Sequence, residues 1–200
     1  MAEKQIIISI GREYGSGGHE IADKLAQRLN LNLYDSNLLQ EVANEHGMNA
    51  ENLTPYDELQ KSPVISRTVR GFSNSNEKNV AEMQFNFLKK KAKDGKSFVV
   101  VGRCAEEVLK EFSCLIAVFI IADADKKAER IQKIHGVDKA KAQDMIKKQD
   151  KKRKAYHDAH CEGKWGDSKN YDLSINSSRL GIDGTLEMLV NYGNARKELL

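Results

Sequence analysis

Ile6-Ile7-Ile8-Ser9-Ile10-Gly11-Arg12-Glu13-Tyr14-Gly15-Ser16-Gly17-Gly18-His19-Glu20-Ile21-Ala22 is the stretch that decides the fold. An apolar, β-branched run opens it. A loop follows with Gly11, Gly15, Gly17 and Gly18. Ile21, Ala22, Leu25, Ala26 and Leu29 then recur at helical spacing. The order is strand, glycine-rich turn, helix. Such a turn aims backbone N–H groups at the space before the helix, where they can cradle a phosphate. Glycine is needed because the loop visits positive φ and must approach its ligand closely. Two common formulas fail here. In G-x-x-x-x-G-K-[ST], Gly18 stands at the lysine, and His19 and Glu20 stand at the Ser/Thr. In G-x-G-x-x-G, Glu20 stands at the last glycine. A ligand-free βα turn is the alternative, but it needs fewer glycines.

The 200 residues suffice for one domain with a full core, read as a single unit over 1–200. The longest apolar run, Leu115 to Ala122, is too short to cross a bilayer. The opening Met-Ala-Glu-Lys-Gln lacks a signal-peptide pattern, so a cytoplasmic protein is expected. Cys104, Cys114 and Cys161 are odd in number and widely spaced, which fits reduced thiols. A net charge of +3 is too small to mark the whole chain as a nucleic-acid binder.

Outward from the loop, strands and helices alternate. Residues 5–10 read as a buried strand and Gly18 to Leu29 as a helix. Asn30 to Asp35 makes a turn and short strand, and Ser36 is positioned to cap a helix with Leu38, Leu39, Val42 and Ala43 inward. From Gly47 to Asn79, with both prolines, the pattern is irregular and reads as a helical insertion or flap. It contains Arg67 and Arg70, three apart. Glu77 to Lys93 is a helix closed by Asp94-Gly95. Phe98 to Arg103 is a strand, Ala105 to Phe112 a helix, and Leu115 to Ile121 a third buried strand. Asp123 caps a helix to His135, and Asp138 one to His160. Tyr171 to Asn176 alternates like a half-buried strand, and a last helix starts at Ser177. This alternation predicts an α/β fold of three layers, α/β/α, around a parallel five-stranded sheet. Ligands of such sheets bind beyond the strand C-termini. The glycine loop, Tyr34-Asp35, Gly102-Arg103, Ala122-Asp123 and Asn176-Ser177 should therefore meet at one edge.

The ordered set of motifs resembles the cytidylate-kinase-like family. It comprises the GREYGSGG loop after a strand, Tyr34-Asp35, Gly102-Arg103, Arg130 in a later helix, Asp150-x-x-Arg153 in a basic stretch, and Tyr171-Asp-Leu-x-Ile-Asn176. The resemblance covers nearly the whole chain. It implies a P-loop NTPase fold of the nucleoside monophosphate kinase type, with an acceptor-binding flap region (36–90) and a lid region (137–168). It also implies ATP and Mg2+ as cofactors and a nucleotide as small-molecule substrate. Carried over by position, Gly11, Arg12, Gly15, Ser16, Gly17, Gly18, His19 and Glu20 would surround the donor phosphates. Asn176 would lie near the donor base. Tyr34, Asp35, Arg67, Arg70 and Arg103 would meet the acceptor. Arg12, Arg103, Arg130 and Arg153 would supply catalytic charge. Cytidylate kinases themselves have a lysine where this chain has Gly18.

Phosphoryl transfer needs positioning and positive charge more than covalent help. Arg12, Arg103, Arg130, Lys133 and Arg153 could deliver that charge from other directions, and arginine grips phosphate bidentately. The expected function is ATP-dependent phosphoryl transfer to a nucleoside monophosphate such as CMP or dCMP. A nucleotide-binding regulator with little turnover is the alternative that the missing lysine raises. A nucleic-acid module built on the six basic residues from Lys147 to Lys154 ranks last, because no aromatic interrupts them to stack a base. A homo-oligomer stays open. His19 either donates to a phosphate or faces solvent. Glu20 either orients an arginine or holds Mg2+ through water. His157-x-x-His160-Cys161 has metal-like spacing without a second ligand cluster, so no resident metal is expected.

Overall fold

The isoleucine run forms strand β1 (Ile7–Arg12), and Ile6 through Ile10 are buried along its length. A computed structural model describes residues 4–57, 68–69, 72–73 and 76–200. After β1 come α1 (Gly18–Leu29), β2 (Asn32–Tyr34) and α2 (Leu38–Glu45). Two 3-10 turns, Ala50–Asn52 and Thr54–Tyr56, precede an antiparallel pair, β3 (Thr68–Val69) and β4 (Phe72–Ser73). Next are α3 (Asn76–Lys93), β5 (Phe98–Val101), α4 (Ala105–Val108), β6 (Leu115–Ile121), α5 (Ala124–His135) and α6 (Lys139–His160). A 3-10 turn at Ser168–Asn170, β7 (Leu173–Asn176) and α7 (Ser177–Leu199) complete the order.

The main sheet runs β2-β5-β1-β6-β7, and every pairing in it is parallel. β1 is central: Ile8 lies opposite Val99 on one side and Ile116 on the other. A parallel sheet covered on both faces takes continuous apolar strands, and successive residues feed opposite cores. Ile6, Ile8 and Ile10 join Val99, Val101, Ile116 and Val118 against Ile21 and Leu25 of α1 and Leu186, Leu189 and Val190 of α7. Ile7 joins Phe98, Val100 and Leu115 against Leu38, Val42, Phe87, Leu88 and Leu109. Burying each such side chain contributes roughly 1.5–3 kcal/mol. The rigid part of the molecule is therefore the sheet centre, from which the loops of one edge project. A smaller cluster of Ala128, Ile131, Ala142 and Ile146 welds α5 to α6, and Tyr14 of the loop packs on it.

Several elements differ from the sequence expectation. α2 begins at Leu38 with Asn37, not Ser36, before it. Asp35 Oδ1 accepts the Asn37 N–H and Asn37 Oδ1 accepts the Asp35 N–H, both at 3.0 Å, and this closed turn delays the helix. α4 stops at Val108 rather than Phe112. The chain then descends through tight turns, with Phe112 N–H donating to Leu109 O and Leu115 N–H to Phe112 O, both at 3.0 Å. The last helix is two helices joined at Gly181, whose φ of 68° and ψ of −179° no helix accommodates. Among the described residues, no helix is long and apolar enough to cross a membrane.

Candidate active site

Because the five strands are parallel, their C-terminal ends share one edge, and the glycine loop caps its centre. Gly15 and Gly17 have φ of 84° and 79°, left-handed values that side chains resist. Ser16, buried between them, donates its hydroxyl to Glu13 O at 2.9 Å and accepts the Gly18 N–H at 3.3 Å. Ser177 then donates to Ser16 O at 2.6 Å and to Ile121 O at 3.1 Å, tying the loop to β6 and α7. Gly17 caps α1 with no side-chain hydrogen bond, and beyond the Gly18 N–H held by Ser16 the N–H groups of His19 and Glu20 remain for a ligand.

Arg12 explains Gly18. A Cβ at Gly18 would lie 2.6 Å from Arg12 Cβ and 3.1 Å from Arg12 Cγ. A Cβ at Gly102 would collide with the Arg12 guanidinium. The arginine stem therefore runs from the end of β1 across Gly18, and its head reaches Gly102 at the end of β5. Arg12, at the end of the strand that leads into the loop, thus occupies the space that a side chain at position 18 would take.

The other arginines are each held by named groups. Arg103 is 5% exposed and grips the Asp57 carboxylate with both terminal nitrogens, the longer contact being 3.0 Å. Gly102, Arg103 and Cys104 all have positive φ, at 73°, 61° and 54°. Two consecutive non-glycine residues in that region store strain, and such strain clusters at functional turns. Arg130 of α5 pairs with Glu20, which also faces Lys24 at 3.6 Å. Arg153 of α6 donates to Arg12 O at 3.2 Å and lies over the Tyr14 ring at 5.5 Å. One turn earlier, Asp150 accepts the Tyr14 N–H at 2.6 Å. Burial pushes the Asp150 carboxyl above its usual pKa, against the pull of that N–H and of Lys127. Lys127 donates to Glu13 at 2.9 Å beneath the loop. His19 faces Asp35 at 3.4 Å.

Two cavities flank this group. One, of about 380 Å³, is lined by the loop from Arg12 to Glu20, by Arg130 and Ile131 of α5, and by Arg153. The other, of about 300 Å³, is lined by Asp35, Thr54, Asp57, Arg103, Gln149 and Lys152, among others. Arg12, His19 and Arg153 line both. A third, of about 200 Å³, continues the first past Ser16 and Arg130 to Ser177 and Gly181.

Most residues singled out in the sequence thus come together. Glu20 pairs with Arg130, and both line the donor-side cavity. Tyr34 does not reach the acceptor-side cavity: it is buried, edge-on to Phe87 and Phe98 with ring centroids at 5.4 and 5.3 Å. Its aromatic bulk fills the core, and Asp35 alone of that pair faces the cavity. Asn176 accepts the Ser178 N–H and donates to Asp123 at 2.8 Å, so it caps α7 and does not line the donor-side cavities. Gly11 lies below the loop, where a Cβ would sit 2.7 Å from Phe119 Cδ2. Lys133 is exposed and lines none of these three cavities. Arg67 and Arg70 lie outside the described residues. Sequence reasoning missed Asp57, Lys127, Gln149 and Lys152. Lys127 carried a signal, being one turn from Arg130 on the same helix; Asp57 carried none.

Behind Arg103 lies a second polar cluster. His157 Nε2 is 3.0 Å from Glu106 Oε1, with both side chains almost fully buried. Burial opposes the imidazolium, but hydrogen bonds with Cys161 and Glu106 outweigh it and raise His157 to about 9. A hydrogen bond with Cys104, and then His157, bring the Cys161 thiol down to about 7 against burial.

The chain is similar over 95% of its length to the crystal structure of an uncharacterized protein from Eubacterium ventriosum ATCC 27560, of which 99% is covered, at 40% identity and a TM-score of 0.76. It also superposes on shikimate kinase from Bacteroides thetaiotaomicron (15% identity, TM-score 0.54, 94% of this chain and 97% of that one). Shikimate kinase from Acinetobacter baumannii in complex with shikimate gives 14% identity and a TM-score of 0.52 over 98% of this chain and 96% of the other. At these identities the likeness is one of fold, and the fold is that of P-loop kinases. No curated protein matches the chain. A family model described as "Cytidylate kinase-like family" matches residues 7–179.

Proposed function

The chain belongs to the cytidylate kinase-like family, and from that premise we propose that it transfers a phosphoryl group from ATP to a nucleoside monophosphate such as CMP or dCMP. The coarser reading, a phosphotransferase of P-loop kinase type, follows from family and fold together. The observation that carries the finer one is the pair of cavities sharing Arg12, His19 and Arg153. Transfer requires a donor and an acceptor site with concentrated positive charge between them, and these three residues occupy that boundary.

The donor's phosphates bind to the loop from Gly15 to Gly18 and to the open N-terminus of α1, with Arg130 alongside. Its base lies toward Ser177 and Gly181. The residues present also fit Mg2+. That ion keeps most of its waters and takes only one or two carboxylates besides the phosphates, and Glu13 and Glu20 line the donor-side cavity. When bound, it neutralises charge on the donor oxygens. Arg12 takes the part of the missing lysine, with a planar head that can hold two oxygens at once. The acceptor phosphate binds Arg103 and Lys152, displacing Asp57 from Arg103. An acceptor phosphate is already ionised, so no base is required, and a cavity with three arginines and a lysine matches its charge. The region 137–168 serves as lid and 36–90 as flap, excluding water as they close.

The test is to incubate the purified protein with Mg-ATP and a panel of nucleoside monophosphates, and to measure diphosphate formed. Diphosphate from CMP or dCMP is expected. ATP binding without transfer to any acceptor would overturn the reading and leave a nucleotide-binding regulator.

A further inference from the structure

We propose that Glu106, His157 and Cys161, with Cys104 beside them, form a binding site for a zinc-class divalent cation at the base of α6. One ligand atom from each of Glu106, His157 and Cys161 lies within 4.8 Å of the others. Carboxylate, imidazole and thiolate supply three corners of the tetrahedral set that zinc favours, with metal–ligand distances of about 2.0–2.3 Å and the fourth corner open to water. Ligand atoms around such an ion stand about 3.5 Å apart, so closure asks for side-chain rotation and not for movement of the backbone. Soft sulfur donors select zinc over magnesium or calcium, which take oxygen.

The surroundings have two further features of a metal site. The Tyr171 hydroxyl donates to Glu106 Oε1 at 3.4 Å, the outer contact that orients a ligating carboxylate. A cavity of about 210 Å³, lined by Glu106, Glu107, His157, Cys161 and Gly163 among others, gives the ion a path from solvent. The arrangement also replaces the ligand set that spacing in the chain suggests. His160 turns away to the rings of Phe85 and Tyr156, at centroid distances of 5.5 and 4.7 Å. Glu106, more than fifty residues earlier, takes its place because α4 and the last turns of α6 pack together.

The site joins two elements that already meet through the Glu106–His157 contact and through side-chain packing. Cys104 and Glu106 follow Arg103 at the strained turn after β5, and His157 and Cys161 end α6. A bound ion would fix the far end of α6 while leaving its Asp150–Arg153 segment free to move over the loop. The site stands independently of the phosphotransferase reading, since none of its three ligands contacts either substrate in that proposal.

Cobalt(II) titration of the chelator-treated full chain tests it. The expected result is one equivalent bound, with a thiolate-to-cobalt charge-transfer band and tetrahedral d–d bands, all displaced by Zn2+. Cys161→Ser should abolish the charge-transfer band. Tyr171→Phe, which removes only the outer hydroxyl, should keep the band and weaken affinity about 10–100-fold. Circular dichroism confirms that both variants fold. Absence of the band in the wild type overturns the proposal. So does a band unchanged in Cys161→Ser, which would assign the metal to Cys114 or to the surface.

Discussion

Gly18 and Arg12 share one volume. The arginine stem fills the space that any side chain at position 18 would occupy, at 2.6 Å from Cβ to Cβ. The contact involves the root of the arginine and not its flexible end, so a new rotamer cannot relieve it. Restoring the common loop formula by Gly18→Lys should therefore fail. The variant is expected to lose about 1–3 kcal/mol through overpacking. Its turnover should fall, not rise, because the new stem drives Arg12 from Gly102. Thermal melting and steady-state kinetics on the same preparations check this. A Gly18→Lys protein that melts like the wild type and turns over faster would show that Arg12 does not stand in for the lysine. The anomaly at position 18 was legible in the chain. Its resolution was not, because the course of Arg12 depends on Gly102, ninety residues away and bare for the same reason. Asp57 is harder still: nothing local marks it as the partner of Arg103, and only the fold of the insertion brings them together.

At the scale of elements, α1 and the five parallel strands follow from periodicity, glycine and β-branching, with α1 and β6 at their expected bounds and the ends of the other strands up to two residues off. Local chemistry decides them, so they are legible. α7 is different. Gly181 and Gly184 stand within a helical pattern, and which glycine breaks the helix depends on the turn that lets Ser177 reach the loop. Tyr34 likewise reads as a site residue from its place at a strand end, yet an aromatic ring beside Phe87 and Phe98 gains more from burial than from the cavity. α6 is placed both by its apolar cluster with α5 and by polar contacts to the loop whose partners the sequence does not reveal. Asp150 and Arg153, one turn apart, hold Tyr14 N–H and Arg12 O respectively, so this helix is latched to the loop. The latch has a pH signature. Asp150 has a folded pKa above its unfolded one, chiefly through burial. The folded state thus binds this proton more tightly, and the group loses stability as pH rises through its folded pKa. Asp150→Asn keeps an oxygen to accept the Tyr14 N–H and removes the buried charge. Its stability relative to wild type should be lowest below the ordinary carboxylate pKa of about 4 and should rise toward pH 7. Melting temperatures of both proteins across that range measure the difference. A relative stability that falls with pH would mean that Lys127 outweighs burial at this site.

At the scale of the molecule, charge is distributed against its net value. The chain carries only +3 overall, yet Arg12, Arg103, Lys152 and Arg153 converge on one cavity and Arg130 flanks the next. Asp57 pairs with Arg103 and Glu20 with Arg130. In the proposed reaction each of these arginines exchanges its carboxylate for a phosphate, so one substrate alone relieves only part of the arrangement. The ordered motifs along the chain foretold the shared edge. They could not foretell that Arg12, His19 and Arg153 would face both cavities, since that is a property of three segments packed together. Such a boundary makes a quantitative demand. A compound with adenosine and cytidine joined through an oligophosphate would occupy both cavities and place charge across all three residues. Linking two ligands that bind together raises affinity by about 10²–10⁴ over either part. Calorimetry should accordingly find this compound bound far more tightly than ATP or CMP, and at 100 times its Kd it should stabilise the fold by about 2.7 kcal/mol. Arg153→Ala should remove more of the linked compound's affinity than of either part's, because only the linked compound depends on the boundary from both sides. If the linked compound binds no better than ATP, the two cavities do not serve one reaction, and the regulatory reading gains the ground that transfer loses.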